Sequence, residues 1–303
     1  RFLGSAIAEE QQSEQKIIIK VTLDPVRTKS RAQLQLLKNM DVLGVNYKKN
    51  IAEVSVTQEE LASLKAQGLQ IRQDLIRTHE LTTATTALSD YLNPDETIAA
   101  LATINTKFPQ LTKIFEIGKT RKNRSINAME ISTHIGDSNY PVVVFNAMHH
   151  AREVMTTEVV MHIANVLTEQ YGSNTEVTNW LDHFRIIVVP QVNPDGNAMV
   201  HNGQNMWRKN AYEVSGVVRG VDLNRNYPAY WNYCNGSSSS LSSETYRGPS
   251  AGSEPEAKAM MNLVASLKPV ADISYHSYSE LIIYPYGCSS VKNPSRDLFR
   301  SVG

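Results

Sequence analysis

The chain has 303 residues, 41% hydrophobic and 20% charged, with 30 Lys+Arg balancing 30 Asp+Glu. That length holds one large domain, or a large domain with a small companion, and the composition excludes a disordered or fibrous chain. The neutral charge argues against nucleic acid as the main partner, no apolar run approaches the ~18 residues of a membrane span, and Cys234 and Cys288 form no CxxC pattern.

Residues 1–8 end in small side chains with the A-x-A spacing of a signal-peptidase site at Ala6–Ala8. Residues 1–15 are therefore expected to be a leader remnant or a disordered start, and the chain to be exported, secreted or periplasmic. Residues 17–23 alternate as a strand, and residues 27–40 space Leu34, Leu37 and Met40 as a helix face. Strands follow at 42–47 and 51–56. Thr57-Gln-Glu-Glu60 is a capping box opening a helix that runs to Gly68, and residues 69–73 form a last strand. The order βαββαβ predicts a small ferredoxin-like α+β domain over residues 16–76.

Residues 82–89 are polar, small and aperiodic, with Arg72 and Arg77 before them, which marks a linker over residues 77–90. From residue 91 to 303 helices alternate with apolar strands. Asn93-Pro94-Asp95 starts a helix, 142–145 is a strand, 155–171 a helix and 185–190 a strand. Ser253-Glu-Pro-Glu256 reads as a second capping box for a helix to Leu267, followed by a strand at 270–275. This alternation predicts an α/β domain, a mixed sheet covered by helices on both faces. Residues 297–303 carry helical spacing and no stop signal, as an interrupted element would.

The chemistry concentrates at strand ends, where open α/β sheets collect ligands. The strand at 142–145 runs into His149-His150-Ala-Arg152-Glu153, so a His-x-x-Glu pair follows a central strand. A tight turn there can bring an imidazole and a carboxylate to one zinc-like ion, although His-x-x-Glu alone also fits a charged helix entry. A catalytic zinc site needs a third ligand, and His276 ends the strand 270–275 at an equivalent sheet edge. His149, His162, His183 and His201 lack that placement and read as structural or solvated. Between these residues lie Arg208, Asp222, Asn224 and Arg225, in a chain without basic excess. Guanidinium groups there suit bidentate capture of a carboxylate or support of an oxyanion.

Five motifs in series, His150-Ala-Arg-Glu153, Trp207-Arg208-Lys209, Val221-Asp-Leu-Asn-Arg-Asn226, Ser243-Glu-Thr-Tyr-Arg247 and Tyr275-His-Ser-Tyr278, make the chain resemble the zinc carboxypeptidases of the A/B and bacterial T type, nearest to the T type, in a proenzyme form. The resemblance spans residues 91–290. It implies zinc-dependent removal of C-terminal residues from peptides and proteins, with one zinc ion on His150, Glu153 and His276 and Asp222 orienting His150. It further implies that Arg208 polarises the scissile carbonyl and that Asn224 and Arg225 bind the substrate's terminal carboxylate. Arg152, Ser277 and Tyr278 would line neighbouring subsites. Residues 16–76 would be the inhibitory propeptide, a partner of the chain itself alongside the peptide substrate, and the protein a monomer. Calcium and the state of the two cysteines are left open.

The family's general-base glutamate and substrate-covering tyrosine come well after the last histidine, and are expected beyond Gly303. Glu280 shares strand parity with His276 but matches no such role. Two other readings stand beside the peptidase: a peptide-binding relative that has lost the base, and a zinc amidohydrolase acting on cell-wall peptides, for which the Asn224–Arg225 clamp should differ.

Overall fold

The computed structural model describes residues 17–37, 40–46, 49–74, 87–233, 236–277, 281–286 and 293–302. The chain divides into two units, one comprising Arg1–Leu75, Asn232–Ser238 and Tyr278–Gly303, the other Ile76–Trp231 and Ser239–Ser277.

In the first unit the elements are β1 (Ile17–Thr22), α1 (Arg27–Leu36), β2 (Asp41–Asn46), β3 (Ile51–Val56), α2 (Gln58–Ala66) and β4 (Ile71–Gln73). The βαββαβ order is the one the pattern predicts, and the strands lie β2-β3-β1-β4, all neighbours antiparallel. Alternation puts Ile19, Val21, Ala52, Val54 and Val56 on the face that α1 and α2 cover, where Leu37, Leu61 and Leu64 complete a core. The Thr57 hydroxyl accepts the Glu60 N–H while the Glu60 carboxylate accepts the Thr57 N–H, so the capping box forms as expected. The first helix ends at Leu36, short of the expected Met40.

The second unit runs α3 (Pro94–Lys107), β5 (Thr112–Lys119), β6 (Ser125–Ile131), β7 (Val142–Ala147), α4 (Met155–Gln170), α5 (Thr175–His183), β8 (Arg185–Val189), α6 (Pro194–His201), a two-residue hairpin β9 (Glu213–Val214) and β10 (Val217–Val218), α7 (Pro255–Leu267) and β11 (Ala271–Tyr275). A further helix, α8 (Arg296–Val302), belongs to the first unit and falls where residues 297–303 carry helical spacing. The large sheet is ordered β11-β7-β8-β6-β5; β7 is parallel to β8 and to β11, and β6 and β5 are antiparallel additions. A mixed sheet is thus borne out, although the β5–β6 pair was not among the predicted strands. β8 is buried along its whole length, as a strand covered on both faces must be. Met129, Ile131, Ile186 and Val188 pack with α3, α4 and α5 on one face, and Ile126, Val142, Val144 and Ile187 pack with α7 on the other.

One expected local feature is absent. α7 begins after Glu254 with no side-chain cap, so Ser253-Glu-Pro-Glu256 is not a capping box. Instead the Ser253 hydroxyl donates to Glu254, and both glutamates turn inward to accept from the Asn210 amide, at 2.7 Å and 3.1 Å, while Arg121 grips Glu254 at 2.6 Å. Long-range pairing of two buried carboxylates wins over a local cap worth about 1 kcal/mol.

Candidate functional site

The register of the sheet brings the two histidine motifs together. Tyr275 of β11 pairs with Ala147 of β7, so both chains leave the sheet at the same level, and His276 emerges beside His149 and His150. Met148 turns the chain sharply at φ +61°, a left-handed conformation that costs a non-glycine residue energy and is found where function over-determines the backbone. Carbonyls on both sides of that turn are satisfied: the Val192 and Asn193 N–H groups donate to Ala147 and Met148, and the Asn193 amide donates to the His149 carbonyl. Glu153 sits in the turn before α4, where its N–H donates to the His150 carbonyl and the Thr156 hydroxyl holds its own carbonyl at 2.7 Å.

His150 Nδ1 lies 2.8 Å from Glu153 Oε1, and His276 Nδ1 lies 3.2 Å from His150 Nδ1 and 3.0 Å from Glu153 Oε2. Among the described residues, these three are the one group of His, Cys, Asp or Glu side chains whose ligand atoms converge, all within 4.8 Å of one another. With its Nε2 proton donated to Asp222, a neutral His150 turns an Nδ1 lone pair toward the Glu153 carboxylate at 2.8 Å, so two acceptors face each other with no proton between them. A cation between them removes that conflict, and an N,N,O donor set suits zinc. The residues present therefore fit the metal. Burial opposes ionisation of Glu153, but His150 and then His276 outweigh it and hold the carboxyl well below its usual range, in the anionic form a ligand requires.

Asp222 backs this cluster and is fully buried. Its Oδ1 lies 3.2 Å from His150 Nε2 and accepts the Asn224 N–H; its Oδ2 accepts from Arg208 Nε at 3.2 Å and Nη2 at 2.9 Å. Burial pushes its pKa up, yet Arg208, His150 and Arg225 together hold it well below the carboxylate range. Arg208 is thus engaged on Asp222, with Nη1 4.0 Å from Glu153 Oε1. Asn224 and Arg225 form the one-turn 3₁₀ helix that Asp222 caps, and the Arg225 guanidinium donates to the Asn224 carbonyl. Arg152 donates to the Met206 carbonyl and approaches Glu244 at 3.5 Å. The Ser277 N–H donates to Glu153 Oε2, a backbone contact that residue-type reasoning did not foresee. Tyr278, Glu280, Cys234 and Cys288 lie outside the described residues.

His149 and Tyr227 are further members that the strand-end argument passed over. His149 is 4% exposed and its Nε2 lies 2.8 Å from the Tyr227 hydroxyl. Burial, then the neighbouring His276 and His150, push the His149 pKa down to about 3, so its ring is neutral; burial, then Asp272, pushes the Tyr227 phenol up. The signal for His149 was its place beside His150 at the strand end. Tyr227 carried none beyond belonging to the 224–227 run.

Residues 97–303 match the family model described as zinc carboxypeptidase. Metallocarboxypeptidase A of Trichophyton tonsurans is 36% identical over 212 residues, 68% of this chain and 50% of that protein. Carboxypeptidase A1 of Mus musculus is 34% identical over 241 residues, 79% of this chain and 57% of that protein. The chain therefore spans about half the length of the curated relatives it matches. In fold it is similar to the crystal structure of carboxypeptidase A from Helicoverpa armigera, with a TM-score of 0.78 at 24% identity over 94% of this chain and 75% of that one. With a family model over two thirds of its length and a His-Glu-His cluster at the strand ends, the chain belongs to the zinc carboxypeptidase family.

Proposed function

We propose that the chain carries the zinc-binding half of a metallocarboxypeptidase, which hydrolyses the C-terminal peptide bond of peptides and proteins. The observation that carries this reading is the convergence of His150, Glu153 and His276. Those three side chains would hold one zinc ion, which when bound supplies Lewis acidity toward water and toward a carbonyl oxygen. The protein's own part is positioning. Asp222 fixes the His150 ring through its Nε2, and the anionic Glu153 completes the donor set. Arg208, beside Glu153 but paired to Asp222, would meet developing negative charge on a carbonyl oxygen once a substrate competes for it. Asn224 and Arg225 would take the substrate's terminal carboxylate, which restricts cleavage to chain ends; Arg152, Ser277 and Tyr278 would line the adjoining subsites.

Residues 16–76 would act as a propeptide released by cleavage within residues 77–90, and the protein would work outside the cytoplasm as a monomer. The A-x-A spacing at residues 6–8 supports export, and no helix among the described residues is long and apolar enough to cross a membrane.

Metal analysis of the parent chain and of His276→Ala tests the core of this reading. The expected result is about one zinc per parent chain and strong loss in the variant. A parent that takes up no zinc, or a variant with unchanged zinc, ends it.

A further inference from the structure

The two histidines of the cluster differ in what holds their outer nitrogens. His150 Nε2 faces a carboxylate, Asp222, whereas His276 Nε2 lies 3.4 Å from the Ser274 hydroxyl. That hydroxyl is also 3.4 Å from His149 Nδ1, and His149 Nε2 is 2.8 Å from the Tyr227 hydroxyl. Ser274 and His276 are two residues apart at the end of β11, so they project to one side. The His149 ring lies between the other two groups, its centroid 5.7 Å from that of His276 and 5.8 Å from that of Tyr227. A line of four polar groups therefore runs from the second histidine to the loop that carries Asn224 and Arg225.

Proton bookkeeping gives this line a direction. His276 can offer its Nδ1 lone pair to a metal only if Nε2 carries the ring proton, which it then donates to Ser274 Oγ. The Ser274 hydroxyl is left to donate to His149 Nδ1, and with that nitrogen accepting, the His149 ring bears its proton on Nε2 and donates it to the Tyr227 oxygen. Every group in that arrangement has a partner, and the opposite direction would place the His276 proton on the nitrogen that faces His150 and Glu153. The line contains no carboxylate. Asp222 and Glu153 already supply two anionic carboxylates to the site, so a hydroxyl can fix the second ring without adding a third.

We propose that Ser274, His149 and Tyr227 are positioning residues that set the tautomer and orientation of His276 for zinc, through a hydroxyl–imidazole–phenol relay anchored beside the Asn224–Arg225 turn. The inference rests on the zinc reading above. The two 3.4 Å links are long, so the relay acts more weakly than a carboxylate, at the low end of the 10- to 100-fold range typical of groups that orient metal ligands.

The test uses the full chain, with Zn²⁺ affinity measured by competition against a chromophoric chelator and thermal stability measured separately in excess chelator. Ser274→Ala should weaken zinc binding about tenfold, and Ser274→Thr, which keeps the hydroxyl, should stay within about threefold of the parent. Tyr227→Phe should weaken zinc binding in the parent background and have no further effect once Ser274 is alanine, because the line is already cut. The visible spectrum of the Co²⁺-loaded chain should change in Ser274→Ala and return in Ser274→Thr. The relay is overturned if both single variants bind zinc as the parent does while His276→Ala does not. Additive effects of the two substitutions, or losses that track only the stability measured in chelator, overturn it equally and leave a packing role. If the parent binds no zinc, or His276→Ala binds it undiminished, the zinc reading itself fails and takes the relay with it.

Discussion

Asp222 does two jobs with two oxygens, facing His150 with one and Arg208 with the other. Arg208 is 8% exposed, so its charge depends on that partner. Replacing Asp222 by Asn keeps the shape and removes the charge. The expected outcome is a 10- to 100-fold loss in zinc affinity, from a less firmly oriented His150, with metal-free stability lower by about 3 kcal/mol because a buried guanidinium loses its counter-charge. Chelator competition and a urea melt of the metal-free chain measure the two separately, and an unchanged melt would mean Arg208 has other support. Arg225 is only half-buried and calls for a different test. Losing a hydrogen bond to a charged group costs about 1.5–3 kcal/mol, so Arg225→Ala should weaken binding of a free-acid peptide by roughly ten- to a hundredfold. The C-terminally amidated peptide should bind poorly to both proteins, and calorimetry showing equal losses for acid and amide would defeat the clamp. His150, Glu153 and His276 were legible because each follows an apolar strand in the sequence. The His149–Ser274 contact was not, because it exists only through the β7–β11 register, which pairs residues 128 positions apart.

The entry to α7 shows why local patterns can mislead. Ser253 to Glu256 has the spacing of a capping box, but both glutamates are fully buried and partnered by Asn210 and Arg121, more than forty residues away in sequence. A rule confined to one helix turn cannot see those partners, whereas Thr57 to Glu60, on the surface side of α2, obeys it. The β5–β6 pair escaped for a related reason. β5 exposes Lys113, Glu116 and Lys119 while its partner β6 is buried along most of its length, so the two do not share the apolar run that marked β7 and β8. Burial leaves α7 with a pH-dependent entry. It raises the Glu256 carboxyl from 4.5 to about 7, despite hydrogen bonds from Asn210 and the Arg121 backbone that act in the other direction. Between those values the folded chain keeps a proton that the unfolded chain has lost, so this contribution to stability is complete below about 4.5 and is lost as pH rises through about 7. Glu256→Gln should flatten the fall in metal-free stability across that window, a swing of about 3 kcal/mol at most. Melts in chelator across the window check it, and an unaltered slope would place the titration elsewhere. Gly118 adds a packing constraint on the same helix: a Cβ there would stand 2.8 Å from Ala259 Cβ. Gly118→Ala should therefore cost about 1–3 kcal/mol by denaturant melt, through forced separation of β5 and α7.

Each unit has its own sheet and its own core, and the segment joining β4 to the second unit carries the composition of a tether. The βαββαβ order of the first was readable because its strands are short, alternating and bounded by clear turns; the length and order of the larger sheet were not, because β5 and β6 return antiparallel against a parallel core. On the far side of the tether the chain is already fastened. Leu88, Tyr91 and Leu92 pack against the core of the second unit, and the Leu92 N–H donates to Glu158 of α4 at 2.8 Å. On the near side, β4 pairs with β1 through Gln73, and the Asp74 N–H donates to the Ile18 carbonyl. Proteolysis requires local unfolding, which is costly on both of these flanks, and the polar, small-residued, aperiodic composition after Arg77 predicts that attack concentrates there. Trypsin at low ratio should cut first after Arg77, giving a fragment of about nine kilodaltons and a larger one that begins at Thr78 and still binds zinc through His150, Glu153 and His276. Mass spectrometry of the earliest products, with chelator competition on the larger fragment, reads both points. First cuts inside residues 17–74 or 93–231 would show that the two cores do not stand alone. A clean cut at the tether that abolishes zinc binding would show instead that the metal cluster depends on the first unit.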